Sequence, residues 1–268
     1  MDGAAARPGQ LLEIAVRTAR EAAATARRMR ATDIGDVATK TTATDVVTAA
    51  DRAVERQVVA ALRAARPHDS VLGEEYGGAR AGGVRWIVDP IDGTVNYLYG
   101  LAQYAVSLAA EVDGEVVAAV VCNAATGEEW TAVRGGGAYR NGRRLGGSAV
   151  TDLGQALVAT GFGYAADRRA HQARVLAGLL PAIRDIRRLG AASLDLCLAA
   201  AGAVDAYYEK GLALWDHAAG VLIASEAGLR CAGLRGAAPG PDLVLAAPPA
   251  LFDALHDRLA ALDAAGGP

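Results

Sequence analysis

The stretch Trp86-Ile87-Val88-Asp89-Pro90-Ile91-Asp92-Gly93-Thr94 decides how this chain is read. Three apolar residues in succession, bounded by an acid and a proline, mark a short buried strand that opens into a loop. Proline has no amide hydrogen for a sheet ladder, so the strand is expected to end at Asp89. The turn that follows brings the Asp89 and Asp92 carboxylates round towards each other. Two anions held that close need a cation, and the Ile91 carbonyl between them adds an oxygen donor of the kind that Mg²⁺ accepts. Gly93 lets backbone approach backbone, and the amides of Gly93 and Thr94 face outward at the start of a helix as a small anion site. A metal and a phosphate are thereby coupled. The blander alternative is an aspartate N-cap in an ordinary strand-to-loop turn.

Upstream, Val71-Leu72-Gly73 is a second short apolar run that ends in acids, Glu74-Glu75, which alone read as a solvated loop. Apolar residues at three- and four-residue steps (Leu12, Ala15, Val16, Ala19, Ala23, Ala26, Met29) predict a helix over 10–30. A second helix is predicted over 45–66, with Ala50, Val54, Val58, Ala61 and Ala65 on one face and Pro67 as its stop. Asp45 and Asp51 then cap and charge its first turn, and 39–45 is polar loop.

Downstream, 104–112 and 115–123 are β-rich runs joined by Asp113-Gly114, a type I′ hairpin signal. A strand over 129–133 leads to Asn141-Gly142, a second hairpin signal. Beyond about 150 the rhythm becomes α/β, with strands expected at 156–160, 185–189, 204–209 and 243–246 and helices between them. The division is therefore an N-terminal α+β half, 1–150, and a C-terminal α/β half, 151–268, sharing a cleft. Asp216, in Trp215-Asp216-His217-Ala218-Ala219-Gly220, opens a helix, where its simplest role is an N-cap.

Composition narrows the class. The 268 residues are 52% hydrophobic and 21% charged, which excludes disorder as the main state. Lys plus Arg is 27 against 30 for Asp plus Glu, a net charge of −3, so no basic field exists to collect nucleic acid or anionic lipid. Cys122, Cys197 and Cys231 are odd in number and widely spaced, which fits a reducing cytoplasm rather than a disulfide framework. The first thirty residues lack the apolar core of a signal peptide, and the charge-free run 93–110 is too polar to span a membrane. His68, His171, His217 and His256 lack metal-ligand spacing and read as surface or cap residues. Trp86 and Trp215 read as core, and Arg187-Arg188 as a solvated pair, with the cleft or a partner subunit as alternatives.

Taken in this order, Thr44-Asp45-Val46-Val47-Thr48-Ala49-Ala50-Asp51, Gly73-Glu74-Glu75, the stretch 86–94, the segment 190–209 and Trp215-Asp216-His217-Ala218-Ala219-Gly220 resemble the inositol monophosphatase family of metal-dependent, lithium-sensitive phosphatases. The resemblance implies a layered αβαβα sugar-phosphatase fold, a homodimer, and Mg²⁺-dependent hydrolysis of a phosphorylated polyol, foremost myo-inositol 1-phosphate. Relatives with the same metal motifs act on fructose 1,6-bisphosphate, histidinol phosphate or 3′-phosphoadenosine nucleotides. A rival of another class is a non-catalytic phosphate-polyol binding or regulatory protein on this fold. Residue by residue, the match assigns Glu74, Asp89 and the Ile91 carbonyl to a first Mg²⁺ and Asp89, Asp92 and Asp216 to a second. Glu74 also reaches a third ion through water, near Lys40. Thr94 and Asp51 match a pair that activates the attacking water. Gly93, Thr94 and Asp216 border the substrate, Asp92 and Glu209 meet polyol hydroxyls, and the backbone at Gly190 and Ala192 lies beside them.

Overall fold

The structure is a computed structural model that describes residues 7–32, 37–40, 42, 46–78 and 83–268. Thr44 and Asp45 of the 44–51 motif lie outside the described residues.

Helix α1 (Pro8–Thr32) buries Leu11, Ala15, Ala19, Ala22, Ala23 and Ala26, so its core face is turned slightly from the stripe the sequence predicts. A short antiparallel ribbon, β1 (Val37–Thr39) and β2 (Val46–Thr48), precedes α2 (Ala49–Ala65). The second helix thus starts later than position 45, because Thr48 caps it. The Thr48 hydroxyl accepts from the Ala50 and Asp51 amides, and the Asp51 carboxylate accepts from the Thr48 amide at 2.8 Å. Leu62, rather than Ala61 or Ala65, continues the buried row Ala50, Val54 and Val58.

The first sheet has seven strands in chain order: β3 (Ser70–Gly73), β4 (Val84–Asp92), β5 (Ala105–Val112), β6 (Glu115–Asn123), β7 (Glu129–Val133), β8 (Gly137–Arg140) and β9 (Arg143–Arg144). Both hairpin dipeptides have the positive φ values that a type I′ turn requires: 52° and 89° at Asp113-Gly114, 48° and 77° at Asn141-Gly142. One expectation fails. β4 does not end at Asp89 but runs on through Pro90 to Asp92. Between Asp89 and Asp92 it advances three residues while β5 advances two, from Ser107 to Ala105. That bulge absorbs the residue that cannot donate to the ladder, and it leaves both acids on a strand end instead of a free loop. Helix α3 (Thr94–Tyr99) follows directly.

The second sheet comprises β10 (Leu157–Thr160), β11 (Asp185–Arg187), β12 (Ala206–Glu209), β13 (Arg230–Ala232) and β14 (Val244–Ala247), in the order β11-β10-β12-β14-β13. Interleaved in the chain are α4 (Ala166–Leu179), α5 (Ala192–Ala200), α6 (Leu214–Glu226) and α7 (Pro249–Ala261). β13 carries no alternating pattern, and the sequence did not announce it.

Strand period 2 sorts the apolar residues into three cores. Val106, Leu108 and Ala110 of β5 meet α1 and α2, whereas Ala105 and Ala109 meet α5 and α6. On β12, Tyr207 faces α5 and α6, whereas Ala206 and Tyr208 face the core built with α4 and α7. The layers are therefore helix, sheet, helix, sheet, helix, the αβαβα arrangement that the family resemblance implies. Trp86 is fully buried and donates from Nε1 to Asp69 at 2.9 Å. The three cysteines are free thiols. No described helix is long and apolar enough to cross a membrane.

Leu62 is 1% exposed between α2 and the first sheet. Leu62→Ala is expected to cost about 2–5 kcal/mol in urea unfolding. The exposed neighbour change Arg63→Ala should stay within about 0.5 kcal/mol, and equal effects of the two would contradict this packing.

Candidate active site

β3 and β4 run parallel with Gly73 opposite Val88, so their carboxyl ends lie side by side. Glu74 therefore emerges beside Asp89, and its amide donates to the Val88 carbonyl at 3.3 Å. Gly93, with φ of 86°, turns the chain from β4 into α3. A Cβ there would stand 2.8 Å from the Gln103 carbonyl oxygen, so both conformation and space require glycine. The Thr94 hydroxyl lies 3.0 Å from Asp51 Oδ1 and 3.1 Å from the Ile91 carbonyl, and it donates to one of these acceptors at a time. The two sequence-distant residues matched as a pair are thus hydrogen-bonded.

Asp92 crosses to the second half. It accepts from the amides of Ala192 at 3.2 Å and Ser193 at 2.7 Å, and from the Ser193 hydroxyl, at the positive end of α5. Asp216 accepts from the Ala213 amide at 2.7 Å; it occupies the third position of α6, not the N-cap the sequence suggested. Glu209 ends β12 and accepts from the Tyr207 hydroxyl at 2.7 Å. Lys40 pairs with Glu74 at 2.7 Å and with Glu75. One cavity of about 540 Å³ is lined by Lys40, Glu74, Asp89, Ile91, Asp92, Gly93, Thr94, Gly190, Ala192, Glu209 and Asp216. Asp51 stands behind Thr94, fully buried.

These acids repel one another. Burial, followed by the charges of Glu74, Asp92 and Asp216, holds the Asp89 carboxyl well above the usual carboxylate range. Asp216 is raised the same way, by burial and then by Asp92 and Glu74. Burial lifts Glu74 to about 7 despite Lys40, and Glu209 to about 7 despite Tyr207 and Arg188. Among the described residues, Asp89, Asp92 and Asp216 have no ion-pair partner. An all-oxygen set of unpaired carboxylates and a carbonyl fits a hard divalent cation. The side chains line the cavity without closing on one point: among the described residues no three His, Cys, Asp or Glu side chains form a finished cluster. Lys40 engages Glu74, and the amides at the start of α5 engage Asp92.

Several residues differ from their sequence reading. Arg187 and Arg188 separate: Arg187 is exposed and pairs with Asp185 at 2.7 Å, while Arg188 lines the cavity. Trp215 is half-buried: it packs against the core of α5 and α6, as expected, and also forms part of the cavity wall. His217 is buried, not a surface residue, and burial pushes its imidazole down to about 4. His68 is exposed, and His171 and His256 are partly so. Two supporting residues were missed. Glu55, fully buried, accepts from the Glu75 amide at 2.8 Å and the Tyr76 amide at 3.1 Å, fixing the loop that carries Glu74. Its signal was an acid four residues after Asp51, bordering the apolar stripe of α2. Asn96 donates to the Gln103 carbonyl at 2.7 Å and lies 2.8 Å from that of Leu189, tying α3 to the 189–190 loop.

A family model for the inositol monophosphatase family matches residues 8–262. The inositol-1-monophosphatase of Mycobacterium leprae is 47% identical over 97% of this chain and 96% of that protein. A Pseudomonas aeruginosa protein named Nus factor SuhB is 42% identical over 81% of this chain and 83% of that protein. The solved structure of Mycobacterium tuberculosis SuhB superposes with a TM-score of 0.83 at 39% identity, covering 97% of this chain and 100% of that one.

The raised carboxyls set a pH dependence. Between the unfolded value of about 4.5 and the folded value of about 7, Glu74 and Glu209 keep protons that the unfolded chain gives up. Stability is then lost as pH rises through 7. His217 acts oppositely, but only below about 6.5. With chelator present, the melting temperature is expected to fall from pH 6.5 to pH 8, and a rise would show that the cleft acids are already ionised in the fold.

Proposed function

The chain belongs to the inositol monophosphatase family and is an enzyme, and we propose that it hydrolyses myo-inositol 1-phosphate to inositol and phosphate in a Mg²⁺-dependent reaction. The observation that carries this reading is the joint lining of one cavity by Glu74, Asp89, Ile91, Asp92, Thr94, Glu209 and Asp216, with Asp51 bonded behind Thr94. Glu74, Asp89 and the Ile91 carbonyl would hold one ion, and Asp89, Asp92 and Asp216 a second, with Glu74 and Lys40 bordering an outer position. Bound divalent ions would screen the phosphoryl charge and make a nucleophilic water available at neutral pH.

The chain's own residues supply the rest. Asp51, anchored by the Thr48 amide and hydroxyl, orients the Thr94 hydroxyl. Thr94 Oγ1 in turn offers a lone pair to the proton of the attacking water, so the pair holds that water in line and receives its proton. The amides of Gly93 and Thr94 face the phosphate. Glu209 and Asp92, with the backbone at Gly190 and Ala192, receive the polyol hydroxyls, and water attacks directly without a covalent enzyme intermediate. The complete acid set favours this over a purely binding role. The same reading makes the protein a cytoplasmic homodimer, which light scattering tests by a mass of twice the chain.

The direct experiment is phosphate release from myo-inositol 1-phosphate, glycerol 2-phosphate and fructose 1,6-bisphosphate at fixed Mg²⁺, with and without EDTA. The inositol ester should have the highest kcat/KM, and EDTA should abolish turnover; a preference for the bisphosphate would sink the inositol assignment.

Two substitutions test the machinery. Asp89→Asn replaces a shared carboxylate by a neutral amide and should remove nearly all activity in a folded protein. Near-normal turnover at saturating Mg²⁺ would exclude the shared-ligand role. Thr94→Ala and Asp51→Asn should each lower kcat more than they raise KM, and the double variant should be little worse than either single one. Multiplicative losses would mean that the two residues act independently.

A further inference from the structure

We infer that Gly161 is a specificity-determining residue of the cleft: its lack of a side chain seats the Glu209 carboxylate where it can receive the hydroxyls of the alcohol. The inference rests on the proposed role of Glu209. β10 and β12 are parallel, with Thr160 opposite Tyr208, so the next residues along, Gly161 and Glu209, emerge together at the carboxyl ends of the two strands. Both line the cavity. A Cβ on residue 161 would stand 2.0 Å from Glu209 Oε2, 2.2 Å from Cδ and 2.3 Å from Oε1. The carboxyl group therefore packs directly on the bare α-carbon.

The backbone does not call for glycine here. Gly93, Gly190 and Gly211 also line the cavity, with φ of 86°, 86° and 93°, whereas Gly161 is outside the left-handed region, so no positive φ calls for glycine there. What position 161 requires is space. The space also fixes orientation, because the fully buried Tyr207 donates to Oε2 at 2.7 Å and Arg188 attracts the same carboxylate. A methyl group at 161 would push only the end of a flexible side chain, so the strands remain and the carboxylate leaves Tyr207.

The experiment compares wild type, Gly161→Ala, Glu209→Gln and the double variant on myo-inositol 1-phosphate and glycerol 2-phosphate, with Tm alongside. Gly161→Ala is expected to lower kcat/KM for the inositol ester by about tenfold or more, chiefly through KM, and for glycerol 2-phosphate by less than about threefold. Tm should hold. In the Glu209→Gln background, adding Gly161→Ala should cost less than about twofold, because the contact it disturbs is already weakened. An unchanged inositol ester in Gly161→Ala, beside a selective loss in Glu209→Gln, overturns the role of Gly161 and leaves that of Glu209 standing. Equal losses on both esters with a fall in Tm also overturn it, by making Gly161 a packing residue. A Glu209→Gln variant that does not discriminate between the esters overturns the reading of Glu209 on which it rests.

Discussion

Like charges gathered in a cleft where burial strips them of water repel, and this fold is arranged around that repulsion. Nearly every acid of the site has a donor that offsets part of the cost of its burial: Asp51 has Thr48, Asp92 the amino end of α5, Asp216 the Ala213 amide, Glu209 the Tyr207 hydroxyl, and Glu74 Lys40. Asp89 is 2% exposed, accepts a single backbone amide, that of Ile91, and faces three other carboxylates. The unmet charge is thereby concentrated on the residue that both proposed ion sites share. A buried carboxylate without a cationic partner is costly, and a bound cation would offset that cost where the four acids meet.

The acids reach one place because of strand direction. Most of the first sheet is antiparallel, and its one parallel pair among the described residues is β3–β4. In the second sheet β10 is parallel to both β11 and β12. Parallel neighbours end at the same edge, and their carboxyl ends open outward where side chains have no further ladder to join. Glu74 with Asp89, and Gly161 with Glu209, are the two products of that geometry. Helix α5, lying between the sheets, joins them through its amides on Asp92, so motifs about a hundred residues apart form one cavity.

How much of this was legible follows from the range of the interactions. The hairpins were visible because Asp113-Gly114 and Asn141-Gly142 write their own backbone conformation. The acids of 89–92 were visible as a pair, but the rule that proline ends a strand misplaced the end of β4, since a bulge is a property of two strands and the sequence shows one. Asp216 looked like a cap and proved to be the third residue of its helix. Arg187 and Arg188 looked like one charged pair, yet successive residues point to opposite sides, and only Arg188 enters the cavity. Glu55 was invisible as a support because its partners, the amides of Glu75 and Tyr76, lie twenty residues away across a tertiary contact.

Glycine shows the same limit most sharply. In a sequence it signals a turn, and at Gly93 that signal is right. Gly73 and Gly161 are different: each sits at the end of a parallel strand, outside the left-handed region, and a Cβ there would stand 1.9 Å from Glu55 Oε1 or 2.0 Å from Glu209 Oε2. Neither glycine is needed to bend the chain. Each leaves room for a carboxylate from another element, one that braces the Glu74 loop and one that faces the cleft. Bringing acids together at strand ends therefore takes two kinds of residue, the acids themselves and the small neighbours that admit them, and only the first kind has a chemistry that sequence alone displays.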